Sequence, residues 1–236
     1  MKYYNIVLLS SLFLLGCQRG PNPLDPYEEY NRQVFAFNEQ VDENFFNPLS
    51  SAYKTIVPPP FRAGINNFYM NITEISYTAN ALLQGQWHDA YTSSMRLAVN
   101  STFGIGGLFE MAQPLGLDRK RHDFGETLYY YGYKESAYYV VPFFGPATTR
   151  DVYGVYVDKL LFNPISYLNS FTFQSALFMG DVVNTKTQVQ EYVKNFAEPD
   201  YVNDRYLFIR DLYLQYRTFQ LTKNVNWDSF YDQNEN

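Results

Sequence analysis

Cys17 is the residue whose type and position in the chain predict the most definite chemistry. It is the single cysteine among 236 residues, and it follows Gly16 at the end of a hydrophobic stretch, residues 6–15. A charged start, a short apolar segment and a small residue before a cysteine are typical of a bacterial lipoprotein signal. The sequence therefore predicts a signal peptide over residues 1–16 and acylation of the Cys17 sulfur. The alternative is an ordinary signal peptide with a chance cysteine nearby.

Acylation of Cys17 would tether the mature chain to a membrane, because each CH2 group buried in lipid contributes about 0.8 kcal/mol. Residues 17–24 are predicted to form a short polar tether ahead of the folded part. Gln18 stands where an aspartate commonly signals retention in the inner membrane. We therefore expect the protein to be sorted to the outer membrane.

The other residues with chemical potential do not form a catalytic or metal-binding pattern. Residues 123–125 spell the Asp-Phe-Gly triplet of kinases, but no phosphate-binding or catalytic-loop motif accompanies them. Residues 104–107 lack the third glycine and the strand of a dinucleotide site. His88 and His122 lie far apart, and neither has the spacing of metal ligands. The sequence favours a protein that is not an enzyme and needs no cofactor, although a site built from carboxylates alone stays open.

The composition argues against nucleic acid as a partner, because the net charge is −6. Aromatic residues make up 19% of the chain, with 23 Tyr and 20 Phe. Rings with a polar tip suit the boundary between an apolar phase and water, although an AT-rich genome would also favour these residues. Residues 160–180 are uncharged, but they contain Pro164 and seven polar residues, so they are a poor membrane-spanning helix.

Helical patterns dominate the rest of the sequence, which reads as one domain over residues 25–224 with a polar tail over 225–236. Asp25 is expected to cap the first helix, with Pro26 in the first helical position. Apolar residues then recur at spacings of three and four, which predicts amphipathic helices. These helices cover residues 61–82, about 87–103 and 150–161, with at least two more before Asn224.

Two segments break the helical pattern. Residues 104–109 are both glycine-rich and apolar, which is unusual for a loop in solvent. Residues 127–146 are rich in tyrosine and are predicted to be extended or irregular, with a hairpin near Gly132.

Several sequence blocks, in order, resemble the MlaA (VacJ) family of outer-membrane lipoproteins. No single block is decisive, but their order and spacing over about residues 25–220 are specific. The blocks are residues 25–38 with the start Asp-Pro-Tyr-Glu, 58–68, 80–85 with the end Leu-Leu-Gln-Gly, 100–108, 124–128 and 142–151.

The resemblance implies an all-α, ring-shaped helical assembly embedded in the outer membrane, with an amphipathic pore and one irregular or hairpin loop. Members of the family remove phospholipid that has strayed into the outer leaflet. They pass it to a periplasmic lipid carrier of the Mla pathway, and indirectly to an inner-membrane ABC transporter. They also associate with a trimeric outer-membrane porin. The family protein itself has no metal or nucleotide site.

The resemblance also suggests two functional segments. One is a lipid path that would include Gly104, Ile105, Gly106, Gly107, Leu108 and Phe109, for which the alternative is a tight turn in the core. The other is a gating loop between Tyr129 and Tyr139 that pivots near Gly132 and includes Tyr131, Gly132, Tyr133, Lys134 and Tyr138.

Two positions depart from the family pattern. The family often has Glu-Pro at residues 74–75, where this chain has Glu-Ile, so a helix break there is expected to be missing or moved. Family members also carry further glycines after the one that matches Gly132, where Lys134 and Ser136 stand in this chain. Any hinge in this loop therefore depends on Gly132.

Two other functions remain open at the level of the sequence. The protein could be a structural lipoprotein that scaffolds a porin or envelope complex, or an enzyme that cleaves lipids. Phospholipid bound to the purified protein would favour transfer over a scaffold. Release of lyso-lipid and fatty acid would favour the enzyme.

Overall fold

The computed structural model describes residues 22–195 and 204–222, with side chains described for 22–190 and 204–222. The predicted signal peptide, Cys17 and the polar tail lie outside the described residues. The helices are α1 (Glu28–Val41), α2 (Asn47–Ile56), α3 (Pro59–Leu83), α4 (Trp87–Thr102), α5 (Phe124–Tyr130), α6 (Thr149–Val157), α7 (Phe171–Asn195) and α8 (Arg205–Thr222). An antiparallel hairpin joins β1 (Tyr138–Val141) to β2 (Gly145–Thr148).

The all-α class with one hairpin is confirmed for the described residues. Short π-helical segments, Asp42–Phe46 and Asp158–Phe162, continue α1 and α6. The long α3 runs through residues 74 and 75 without interruption, so the helix break common in the family is missing here. Pro59 suits the first helical position of α3, and the positive φ of Gly85 (70°) turns the chain after its end.

The expected cap of the first helix is wrong. Helix α1 begins at Glu28, and no side chain caps it. Asp25 is fully buried instead, and its carboxylate accepts hydrogen bonds from Asn31 Nδ2 at 2.8 Å and from the hydroxyl of Tyr206. Because both carboxylate oxygens are used in tertiary contacts, Asp25 fastens the chain start to α8.

The irregular segment predicted over residues 127–146 is only partly correct. Residues 124–130 form α5, because the Asp123 side chain accepts a hydrogen bond from the Glu126 N–H at 2.8 Å and caps this helix. The hairpin turn lies after β1, where Phe143 (φ 68°) and Gly145 (φ 91°) have positive φ angles, and not near Gly132.

The distribution of polar and apolar side chains reverses the usual pattern of a globular protein. Among the described residues, 23 polar or charged residues are buried, against 7 hydrophobic ones. Glu74, Arg96 and His122 are among the largest fully buried side chains. Many large apolar side chains are exposed over the same part of the chain, including Phe171 at 81% and Phe103 at 73%.

The small apolar core lies where the hairpin packs against α1 and α8. Tyr138 and Val140 of β1 contact Tyr206 of α8, and Val34 and Phe35 of α1 pack against them. Of the helices in the described residues, none combines the length and the hydropathy that crossing a membrane requires.

Candidate functional site

An apolar cleft of about 530 Å³ opens between α2, α3 and α7. Its wall is completed by the turn that follows α4. Nearly every group on its surface is hydrocarbon, so it suits an aliphatic ligand better than a polar one. The lining residues are Leu49, Tyr53, Ile65, Phe68, Tyr69, Leu108, Leu177, Met179, Gly180 and Val183.

Hydrogen bonds join α3 to α7, the two long helices that flank the cleft. The Tyr69 hydroxyl donates to the carbonyl oxygen of Leu177 at 2.9 Å. Asn66 Oδ1 accepts from Asn184 Nδ2 at 3.3 Å and from Gln188 Nε2 at 2.6 Å. Gly180 permits the close approach of the helices, because a Cβ atom there would lie 2.5 Å from the Tyr69 hydroxyl oxygen.

The glycine-rich segment, residues 104–109, forms the turn beside the cleft. A Cβ atom on Gly104 would collide with the carbonyl oxygens of Asn100 and Phe109, and one on Gly107 would lie 2.6 Å from the Asn71 side chain. The backbone is therefore a tight turn, in agreement with the alternative interpretation of this segment.

The apolar side chains of this turn nevertheless point outward. Ile105, Leu108 and Phe109 are all exposed, and Leu108 lines the cleft. Gly106 has φ 68° and open space around it. The structure thus brings Leu108 into the cleft, while the assignment of the whole segment as a lipid path stays a prediction.

A buried ion network joins Glu110, which directly follows the glycine-rich turn, to α3 and α4. Arg96 Nε donates to Glu74 Oε1 at 2.7 Å, and its Nη2 donates to Glu110 Oε2 at 2.7 Å. Arg119 contacts the same two carboxylates. Burial raises the pKa of Glu110, but hydrogen bonding from Asn100 and the charge of Arg96 lower it by more, so the group stays ionised.

A second polar network joins α3, α4 and α5. His122 Nε2 lies 2.9 Å from Asp89 Oδ2, and its Nδ1 lies 3.1 Å from Gln84 Oε1. Burial lowers the pKa of His122, but its interactions with Glu126 and Asp89 outweigh burial and raise the pKa above 6.5. Gln84 Nε2 donates in turn to the Thr127 hydroxyl at 2.9 Å.

Glu74, Glu110, Asp89 and Glu126 take part in these structural networks. None of the described His, Cys, Asp and Glu side chains form a group of three or more that could hold a metal ion. Arg217 of α8 binds Asp123 and Asp151 together, with contacts of 2.6–2.9 Å. This pattern ties α8 to α5 and α6.

Comparison with known proteins identifies the fold. The family model described as MlaA lipoprotein matches residues 23–220. The chain belongs to the MlaA family. An uncharacterized protein of Rickettsia felis is 34% identical over 74% of this chain and 71% of its own length. The intermembrane phospholipid transport system lipoprotein MlaA of Escherichia coli is 29% identical over 89% of this chain and 85% of its own length.

A solved structure supports the same conclusion. One chain of the solved structure described as "Structural basis for maintenance of bacterial outer membrane lipid asymmetry" matches this protein with a TM-score of 0.71. It is 30% identical, and the match covers 84% of this chain and 98% of that chain. The resemblance to the MlaA family seen in the sequence is therefore confirmed.

The residues of the predicted gating loop of this MlaA-family chain differ in their exposure. Tyr131, Gly132 and Tyr133 are exposed, whereas Tyr138 is fully buried in the core cluster. Lys134 lies over the Tyr129 ring, with its Nζ 3.7 Å from the ring centroid. Gly132 has φ 104°, and a Cβ atom added there would meet no other atom within 4 Å, so nothing packs against this position. Gating by these residues stays a prediction.

Two asparagines of α1 hold the hairpin against this helix. The sequence alone suggested no role for them. Asn31 Oδ1 accepts from the Val140 N–H at 2.9 Å, and its Nδ2 donates to the Tyr138 carbonyl at 3.2 Å. Asn38 makes the same pair of bonds with Phe143 N–H (2.7 Å) and the Val141 carbonyl (3.0 Å). Their spacing of seven residues puts them on one face of α1, which was the available signal.

Proposed function

We propose that this MlaA-family protein is an outer-membrane lipoprotein that removes misplaced phospholipid from the outer leaflet. It passes the lipid to a periplasmic carrier and so maintains the lipid asymmetry of the membrane. The observation that carries the proposal is the apolar cleft of about 530 Å³ beside the glycine-rich turn. The relative in Escherichia coli is named for intermembrane phospholipid transport, which supports the same role here.

The exposed apolar side chains support a position within the membrane. A contiguous apolar surface is costly in water, at roughly 25 cal/mol per Å², and this cost vanishes in lipid. Many of the buried polar groups meanwhile pair with one another, as Arg96 and Arg217 do with their carboxylates. In this proposal the helices form a ring that lies in the outer membrane, with Cys17 as its acylated anchor.

The same arrangement supports transfer of a molecule with a polar head and apolar tails. An acyl chain needs a continuous hydrocarbon surface, which the cleft supplies between α3 and α7. The head group needs polar contacts, which an amphipathic pore through the ring would offer. Leu108 and its neighbours in the glycine-rich turn would form part of the lipid path.

The proposed partners follow from membership of the MlaA family. They are a trimeric outer-membrane porin, the periplasmic lipid carrier and, indirectly, an inner-membrane ABC transporter. The family is one of lipid-transport lipoproteins, and we propose that the protein is not an enzyme.

Measurement of the outer leaflet tests this function. Cells that lack the protein should accumulate phospholipid in the outer leaflet, detected by head-group labelling of intact cells, and restoring the gene should reverse the change. Normal asymmetry together with loss of porin association would favour a scaffold. Release of lyso-lipid and fatty acid by the purified protein would favour a lipid-cleaving enzyme.

A further inference from the structure

Two buried polar atoms beside the apolar cleft have no partner. The Nε of Arg62 and the hydroxyl of Tyr53 are both buried, and neither forms a hydrogen bond to a described residue. A buried donor without an acceptor costs about 1–3 kcal/mol, and more when the group is charged. A bound ligand that forms hydrogen bonds with these two groups would remove this cost.

Tyr53 belongs to the wall of the cleft, and Arg62 lies on α3 close to residues of that wall. Arg62, Ile65 and Tyr69 are spaced by three and four residues along α3, so they share one helix face. Ile65 and Tyr69 line the cleft, and Tyr53 lines it from α2. Burial raises the pKa of Tyr53, and the charge of Arg62 opposes this shift, which agrees with their closeness.

Arg62 is half-buried and differs from the buried arginines of the described residues, each of which lies within 4.0 Å of a carboxylate. Arg96, Arg210 and Arg217 each pair with a buried carboxylate. Arg62 makes no such pair within residues 22–190 and 204–222, and it lies about one helical turn before Ile65, which lines the apolar cleft. An anionic group attached to an apolar chain would satisfy both features at once.

We propose that Arg62 and Tyr53 form a phosphate subsite beside the cleft. The guanidinium and the hydroxyl bind the phosphate of a glycerophospholipid, and one acyl chain of the same molecule lies in the cleft. Guanidinium groups bind phosphate oxygens through paired N–H donors, and the cleft volume of about 530 Å³ is that of a ligand pocket. This subsite rests on the proposed function and names the part of the lipid that the protein recognises.

The test compares two lipids with the same acyl chains, of which only one carries a phosphate in its head group. The purified protein in detergent is titrated with phosphatidylglycerol and with diacylglycerol of the same acyl chains, and binding is followed by native mass spectrometry. The wild type should prefer phosphatidylglycerol. Arg62→Gln should weaken phosphatidylglycerol binding by roughly ten- to a hundredfold and leave diacylglycerol binding unchanged, since one charged hydrogen-bonding group is lost.

Neighbouring variants control for charge and for folding. Lys54→Gln removes a positive charge next to Tyr53, but Lys54 Nζ contacts Gln190 Oε1 at 3.3 Å and is not part of the cleft lining, so phosphatidylglycerol binding should persist. Tyr53→Phe should weaken binding by a smaller factor than Arg62→Gln. If Arg62→Gln does not fold, Arg62→Lys and Tyr53→Phe carry the comparison, with circular dichroism as the check on folding.

The possible outcomes separate the subsite from the function. Equal phosphatidylglycerol binding by the wild type, Arg62→Gln and Tyr53→Phe would overturn the subsite while leaving lipid binding intact. Equally tight, Arg62-dependent binding of oleate would overturn the assignment to phosphate. A wild type that binds neither phosphatidylglycerol nor diacylglycerol would overturn the proposed function together with the subsite.

Discussion

Polar contacts hold many of the buried side chains in place, because 23 of the buried residues in the described part of the chain are polar or charged. Arg96 is 1% exposed and Glu74 is fully buried, and each is the other's partner. Folding takes both charges out of water together, so the net contribution of the pair is modest. Removal of one partner leaves a buried charge with less compensation, which is a larger cost.

Arg96→Leu should therefore destabilise the protein by about 3 kcal/mol, because Glu74 would lose its buried partner and keep only Arg119, which is 21% exposed. Urea unfolding in detergent, followed by circular dichroism, measures the change. Arg32→Gln is the matched control, since Arg32 pairs with Glu28 and Asp204 while remaining 38% exposed, and it should cost at most about 1 kcal/mol. Equal losses from the two variants would contradict the role assigned to burial.

His122 should make stability depend on pH on the alkaline side. Its folded-state pKa is raised above 6.5, so the stabilisation is complete below that value and is lost as the pH rises through the folded-state pKa. The urea midpoint should fall as the pH rises above 6.5. His122→Gln should remove this part of the decline, and an unchanged decline in the variant would assign it to other groups.

Secondary-structure elements are fastened to one another by side chains that cap backbone groups. Asn31 and Asn38 bind the N–H and C=O groups of β1 and the hairpin turn, so a two-stranded hairpin is held without a larger sheet. An isolated hairpin is marginal in water, which makes these bonds necessary.

Asn31→Leu should loosen the hairpin, because the Val140 N–H and the Tyr138 carbonyl would lose their partner inside the protein, at a cost of about 1–3 kcal/mol. Hydrogen exchange over residues 138–148 should accelerate relative to α3. Asn44→Leu is the control, since Asn44 is exposed and bonds only within its own helical segment. Unchanged exchange in Asn31→Leu would contradict the clamp.

A substitution at Gly132 tests the prediction that residues 129–139 form a gating loop. Gly132→Pro is unsuitable, because the Gly132 N–H donates to the Tyr129 carbonyl at 3.1 Å and its φ of 104° is closed to proline. Gly132→Ala strains the same backbone without removing the donor. We expect normal abundance with outer-leaflet phospholipid accumulating in cells.

Gly116→Ala is the matched control for this strain. Gly116 also has a positive φ (80°) and open space around it, but it lies after residues 113–115 and outside the loop. It should leave lipid asymmetry intact. Full activity in Gly132→Ala, or equal loss in both variants, would argue against a hinge at Gly132.

The long helices could be predicted from the sequence, because an apolar stripe repeating every three to four residues has few other interpretations. The stripe predicts a helix over residues 61–82, and α3 runs over Pro59–Leu83. The helix at residues 124–130 has no such signal, since its stability comes from the Asp123 cap and from tertiary partners and not from a long apolar stripe. Asp25 resembles a cap because a sequence does not show which distant hydroxyl or amide a carboxylate will meet.

The candidate site was less accessible to sequence reasoning. Leu108 stands out by its glycine-rich surroundings, and it does line the cleft. The other walls come from α2, α3 and α7. Because α7 begins more than one hundred residues after α2 ends, no local pattern could join them. Tyr138 and Tyr131 look alike in a tyrosine-rich run, yet one is buried and the other is exposed.

The whole molecule has a polar interior and an apolar exterior over the described residues, which is the arrangement expected of a protein whose solvent is lipid. The aromatic excess noted in the sequence is largely on this exterior, at residues such as Trp87, Phe103 and Phe219. The apolar cleft continues this surface inward between α3 and α7. In our proposal the cleft gives an aliphatic chain a sheltered position between these helices.

Phospholipid binding in the cleft can be tested by mass spectrometry of the lipid that remains bound to the purified, detergent-extracted protein. We predict that glycerophospholipid copurifies with the wild type and is lost from Leu108→Asp, because a charge would then stand in the cleft wall. Leu115→Asp is the control, since Leu115 is exposed and lies outside the cleft lining, and it should retain the lipid. A wild type without bound phospholipid, or a folded Leu108→Asp that retains as much lipid as the control, would contradict the central claim.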